Sequence, residues 1–225
     1  MSALIAPSFK PLNRNAIAAR VAADIPEGWS VNLGIGMPTL VADHVPGDRE
    51  VLFHSENGLI GMGPVPNENE ADPWVVNAGK QNVTMLKGAS LFHHADSFAI
   101  IRGGHLDLCI LGAYEIAENG DIANWATSDT EAAPAVGGAM DLAAGAKRLW
   151  VMTEHTTKDG RPKLVERCSY PLTAIGAVKR IYTNLAVIDV TPHGFDVVDI
   201  LADLSFDQLQ AVTGAKLNRA AAAKH

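Results

Sequence analysis

The sequence predicts an α/β protein: an open, mostly parallel or mixed sheet flanked by helices on both faces. Strand-like and helix-like segments alternate along the 225 residues. The strand segments are continuous apolar runs rather than strict polar–apolar alternations, the pattern of strands covered on both sides. No internal repeat, linker or composition shift divides the chain. A single domain over residues 1–225 is therefore expected, with frayed ends over about 1–10 and 216–225.

In order along the chain, Asn13 to Ile25 reads as a helix, because Ile17, Val21 and Ile25 recur every four residues and Pro26 closes the segment. Trp29 to Ile35 reads as a strand entering the Gly34-Ile35-Gly36 turn, and Pro38 stands where a second helix starts, with Leu40 and Val41 as its apolar face. Val51–Phe53 and Trp74–Asn77 are short apolar strands, separated by an acidic, proline-bounded loop over 66–73. Val83–Leu86 and Leu106–Leu111 are further buried strands. Gly137-Gly138 leads into a helix over Ala139–Ala146, and Leu149–Thr153 is again a strand. Leu185–Val190 and Phe195–Ile200 form a strand pair across Thr191-Pro192-His193-Gly194. Ser205 with Gln208 is a capping-box signal for a last helix that stops at Gly214, and the alanine-rich tail from Ala220 is expected to fray.

Composition narrows the function classes. A hydrophobic content of 48% supports a buried core, and no stretch is apolar for long enough to span a membrane. The N-terminal residues show no secretory pattern, and the two cysteines, Cys109 and Cys168, match no zinc or redox spacing, so reduced thiols in a cytoplasmic protein are expected. A net charge of −7 argues against a nucleic-acid surface.

The stretch richest in chemistry is His54-Ser55-Glu56-Asn57-Gly58-Leu59-Ile60-Gly61-Met62-Gly63-Pro64, which follows the Val51–Phe53 strand. It puts one carboxylate, Glu56, at the mouth of a glycine-rich turn, where it is either a solvated turn residue or a nucleophile. Ser55 lacks the Gly-x-Ser-x-Gly elbow of a hydrolase. His93-His94 are adjacent, point in different directions and lack a carboxylate–histidine pattern, so no metal site is expected. Gly34-Ile35-Gly36-Met37-Pro38 has the look of a phosphate turn but lacks the third glycine and acidic partner of a dinucleotide site. Arg102-Gly103-Gly104-His105 reads equally well as an anion site or as a tight turn, and Lys80 on its own reads as a solvated charge.

Ser55-Glu56-Asn57-Gly58-Leu59-Ile60-Gly61-Met62-Gly63-Pro64 resembles the active-site signature of the second of the two subunits of the class I (3-oxoacid) coenzyme A transferases. Val31–Pro38, Asn77–Lys80, Ser97–His105, Gly120–Trp125 and Gly137–Leu142 resemble further blocks of that family, in the family's order. The resemblance implies an open α/β fold and ping-pong transfer of CoA between carboxylic acids. Glu56 is then the nucleophile, Gly138 a backbone donor to the oxyanion, Asn32 a neighbour of the substrate carboxylate, and Lys80 a contact to CoA. CoA is a substrate, and no metal or redox cofactor is required. The family's enzymes have two homologous halves and only the glutamate-bearing one is recognisable here. A separate partner chain carrying the first half is therefore implied, in a heterodimer or heterotetramer. Phe92–Phe98 and Arg180–Val187 resemble most the members that act on 3-oxoadipate with succinyl-CoA. Acetoacetate-specific transfer, acyl-CoA hydrolysis by the same glutamate and non-catalytic acyl-CoA binding are the alternatives.

Overall fold

A computed structural model describes residues 9–67, 69–127 and 135–220. The chain begins with α1 (Arg14–Asp24), capped by the Asn13 side chain, which accepts from the N–H of Ala16 at 2.9 Å. It continues through β1 (Ser30–Leu33), a 3₁₀ helix (Met37–His44), β2 (Leu52–Ser55), β3 (Leu59–Met62) and β4 (Met85–Leu91). Then come α2 (His94–Arg102), β5 (Leu108–Leu111), β6 (Glu115–Ala117), β7 (Ile122–Ala123), α3 (Ala139–Gly145), β8 (Leu149–Met152) and β9 (Leu164–Val165). The last elements are β10 (Val178–Tyr182), β11 (Ala186–Thr191), β12 (Gly194–Ile200), α4 (Phe206–Ala211) and β13 (Leu217–Arg219).

Ten strands make one mixed sheet in the order β13-β12-β11-β10-β8-β5-β1-β2-β3-β4, and β7-β6-β9 form a small second sheet. The centre, β10-β8-β5-β1-β2, is parallel, and antiparallel hairpins extend it on both sides. Alternate residues of the central strands enter opposite cores. Leu108, Ile110, Trp150 and Met152 join the layer beneath α1 and the 3₁₀ helix, whereas Cys109, Leu111, Leu149 and Val151 join the layer beneath α2, α3 and α4. That division is the physical reason these strands read as unbroken apolar runs. Among the described residues no helix is long and apolar enough to cross a membrane.

Several sequence expectations need correction. The helix after Pro38 is a 3₁₀ helix. Trp74–Asn77 is not a strand. Asp72 bends the chain there by accepting the Trp74 N–H at 2.9 Å on its side chain, Val75 donates back to the Asp72 carbonyl, and Trp74 is left 90% exposed. The strand expected at Val83–Leu86 starts at Met85, runs to Leu91 and is mostly exposed, because it is the sheet's edge. The last helix ends at Ala211, before Gly214. Leu217–Arg219, expected to fray, pairs in parallel with Phe195–Val197, and Phe9 packs on the core. The remaining ends expected to fray, 1–8 and 221–225, lie outside the described residues, as does Glu68 of the acidic loop.

Two histidines lie wholly inside this frame. His155 is 0% exposed, with Nδ1 3.0 Å from Thr183 Oγ1 and Nε2 2.9 Å from Thr213 Oγ1. His54 is buried beside Asn32 and Ser97. Burial pushes both down to about 4 from the ordinary 6.5. The folded values lie below the unfolded one, so the stability these neutral rings carry is full above pH 6.5 and is lost as pH falls toward 4. Urea midpoints are expected to decline over that window, each histidine contributing about 3 kcal/mol at the limit. His155→Gln should flatten the decline, and a midpoint level from pH 6.5 to 4 in the unaltered protein would contradict the buried neutral state.

Candidate active site

The parallel strands β8, β5, β1 and β2 end along one edge of the sheet, and β1 is the point where the order reverses: β2 lies on one side of it and β5 on the other. Ligands of open α/β sheets bind above such a reversal, at the strands' carboxyl ends. A cavity of about 560 Å³ occupies that place. Leu33 and Gly34 from β1, Leu111 and Gly112 from β5, and Glu56 after β2 all line it.

Glu56 sits in the three-residue loop joining β2 to β3, in which Ser55 pairs with Leu59. The Gly58 N–H closes the turn on the Ser55 carbonyl at 3.0 Å. Gly58 has a φ of 108° in left-handed backbone, and a β-carbon there would collide with the Phe92 carbonyl, so glycine is required twice over. The loop is tied to the neighbouring segment at two points. Asn57 Nδ2 donates to the Val76 carbonyl at 2.8 Å, and the Ala78 N–H donates to Ser55 Oγ at 2.8 Å.

Beneath the loop lies a buried polar chain. Asn32 is 2% exposed and stands in register with His54. Its Nδ2 donates to His54 Nδ1 at 3.0 Å and to the His54 carbonyl at 3.1 Å. An acceptor role at Nδ1 places the proton of the neutral ring on Nε2, which lies 3.0 Å from Ser97 Oγ of α2. Ser97 in turn donates to the Ser55 carbonyl at 3.5 Å. Three side chains thus hold the residue before Glu56 from below.

No hydrogen bond or ion pair holds the Glu56 carboxylate among the described residues. Partial burial raises its pKa most, nearby His94 opposes that, and Asp141 adds to it. The Glu56 charge also contributes, after burial, to raising the Cys109 thiol in β5. Gly138 stands against the carboxylate so closely that a β-carbon there would lie 2.5 Å from Glu56 Oε2 and 2.9 Å from Phe98 Cζ. Among the described residues no acceptor takes the Gly138 N–H. Asp141 is held by Arg102 through contacts of 2.7 and 3.2 Å, so Arg102 positions α3 against α2 rather than offering a free anion site.

Of the residues singled out in the sequence, Glu56, Asn32 and Gly138 meet at this cavity. Lys80 does not line it. It is exposed, at φ 62°, and closes the Asn77–Lys80 turn whose Ala78 forms part of the wall. His93 caps α2, with Nδ1 accepting the Ala95 N–H at 3.1 Å. No metal-holding cluster of histidine, cysteine or carboxylate side chains occurs among the described residues. Sequence reasoning missed Arg14, Tyr114, Thr153 and Lys163 on the far wall, which come from segments with no motif of their own.

Residues 14–201 match the family model described as coenzyme A transferase. The chain is 58% identical over 208 residues to a Pseudomonas putida protein named as the second subunit of 3-oxoadipate CoA-transferase, covering 92% of this chain and 97% of that one. Its counterpart of the same name in Acinetobacter baylyi is 56% identical over 210 residues, covering 93% and 97%. A Helicobacter pylori protein named as the second subunit of succinyl-CoA:3-ketoacid coenzyme A transferase is 46% identical over 203 residues, covering 90% and 97%. Among solved structures, an acyl-CoA transferase of Escherichia coli O157:H7 superposes with a TM-score of 0.70 at 18% identity, over 93% of this chain and 42% of that longer one. The decarboxylase AibA/AibB also superposes, with a TM-score of 0.63 at 15% identity, over 94% of this chain and 87% of that one. The fold alone therefore does not choose the chemistry.

Proposed function

The chain belongs to the coenzyme A transferase family, and from that premise we propose that it is the glutamate-bearing half of a two-subunit enzyme that moves CoA from succinyl-CoA to 3-oxoadipate. The half-buried, unpartnered carboxylate of Glu56 at the floor of the cavity carries the reading. It attacks the thioester carbonyl of the donor and expels the CoA thiolate, leaving a glutamyl–acyl anhydride. The thiolate returns to the glutamyl carbonyl, frees succinate and leaves a glutamyl–CoA thioester. The acceptor acid reverses the two steps. A glutamate ionised near neutrality needs no general base for this, and no metal or redox cofactor enters the balance.

The remaining roles follow from position. The free N–H of Gly138, beside the carboxylate, suits the oxyanion that each attack creates. Both amide donors of Asn32 are taken by His54, so Asn32 acts as a positioning residue for the loop and offers a ligand only its carbonyl oxygen. The exposed ammonium of Lys80, on the turn that forms part of the wall, suits the polar length of CoA outside the cavity. The relatives at 56–58% identity favour 3-oxoadipate over acetoacetate, and their naming as one of two subunits supports a separate partner chain in a heterodimer or heterotetramer.

The reading is tested with the chain alone and with its co-expressed partner chain, using succinyl-CoA and a panel of 3-oxo acids. Transfer is expected only from the pair and fastest to 3-oxoadipate. In the same assay Lys80→Ala should raise the KM for succinyl-CoA about tenfold, the worth of one charge-assisted contact. Alanine keeps the same positive φ, so the change reports on the ammonium alone. Hydrolysis without an acceptor, a preference for acetoacetate, or full activity of the isolated chain would each refute a separate part of the proposal.

A further inference from the structure

We propose that Lys163 receives the distal carboxylate of a dicarboxylic substrate, so that this chain itself selects dicarboxylic over monocarboxylic acyl groups; the inference rests on the CoA-transfer reading above. Only three charged side chains among the described residues line the cavity: Glu56, Arg14 and Lys163. Arg14 is already paired with Glu154 at 3.5 Å. Lys163 is half-buried and has no carboxylate partner among the described residues. Its Nζ donates to Thr153 Oγ1 at 3.0 Å and to the Ala113 carbonyl at 3.3 Å. An ammonium carries three donors, so one remains. A cation withdrawn from water and bonded only to neutral groups is costly, and an anionic ligand removes that cost. Burial is the main cause lowering its pKa.

Position decides which anion. Thr153 and Ala113, which hold the ammonium, are 3% and 7% exposed and follow β8 and β5, whereas Glu56 follows β2. In the order β8-β5-β1-β2 the two ends lie two to three strand widths apart, about 10–14 Å along the backbone. The glutamate and lysine side chains shorten that span from both ends. Between them the wall is Leu33, Gly34, Leu111 and Gly112, suited to a short carbon chain. One end of the cavity thus attacks a carbonyl and the other meets a negative charge. The phosphates of CoA belong at the mouth, not at an ammonium tied down by two buried groups. In a ping-pong cycle the succinyl group in one half-reaction and a 3-oxo dicarboxylic acid in the other each present one free carboxylate, and the same ammonium serves both. A monocarboxylic acyl group leaves it unpaired.

The test uses the two-chain enzyme with Lys163→Gln and Lys163→Met, and reads kcat/KM for succinyl-CoA divided by kcat/KM for acetoacetyl-CoA. The ratio is expected to fall about tenfold to a hundredfold, the worth of a charge-assisted hydrogen bond, and Lys163→Arg should restore most of it. Glutamine can keep the bond to Thr153, so it reads the charge even if the methionine variant folds poorly. An unchanged ratio, or an equal loss on both donors, overturns the inference while leaving CoA transfer standing. A wild-type pair that transfers CoA from neither donor overturns the function reading and this inference together.

Discussion

Replacing Glu56 with alanine lowers kcat for CoA transfer by about a thousandfold or more, the equivalent of at least about 4 kcal/mol of transition-state stabilisation. The magnitude follows from covalent catalysis: without the carboxylate neither the anhydride nor the thioester can form, and what survives is whatever approximation of donor and acceptor the cavity provides unaided. Glu56→Gln should lose as much, since the amide keeps the shape but not the charge. Borohydride added after succinyl-CoA should inactivate the wild-type pair by reducing the glutamyl thioester, and should leave Glu56→Gln without a labelled residue. Because partial burial raises the glutamate's pKa above its ordinary 4.5, the acid limb of the kcat/KM profile should lie above that value. Retention of more than about a thousandth of kcat in the alanine variant would move the nucleophile elsewhere.

The second large effect belongs to the smallest change. Gly138 has φ −73° and ψ −8°, an ordinary right-handed conformation, so alanine imposes no backbone strain. Its β-carbon, however, would stand 2.5 Å from the Glu56 carboxylate and 2.9 Å from Phe98. The carboxylate must move, and displacing a reacting group by about 1 Å can cost a hundredfold in rate. Gly138→Ala is therefore expected to hold its thermal midpoint while kcat falls about a hundredfold. Wild-type kcat in a folded variant would show that the glutamate reacts from some other position. A collapsed midpoint with proportionate activity loss would make Gly138 a packing residue only.

Much of the central sheet was legible because β5 and β8 carry their apolar residues in unbroken runs, and α1 because its apolar positions recur at one helical turn beside a capping Asn13 and a closing proline. The elements that escaped have local reasons. β4 is an edge strand whose exposed face removes the apolar signal, and β13 is only three residues long, held by pairing with β12 rather than by its own composition. α2 hides behind two histidines, one of which turns out to be its cap. Glu56 and Gly138 were legible through family resemblance. Lys163 was not, since a lysine between a proline and a leucine carries no signal until the fold sets it beside Thr153.

His54, Asn32 and Cys109 are partners in register across β2, β1 and β5, one rung of the ladder running under the nucleophile. A rung is among the hardest parts of a protein to deform, because each member is fixed by backbone pairing as well as by its side chain. The lysine end of the cavity is built otherwise, from segments beyond the strand ends that tolerate substitution. A lineage can therefore redraw the far wall for a new acid, one residue at a time, without retuning the carboxylate. Enzymes built on this frame are expected to diverge in whom they serve long before they diverge in what they do.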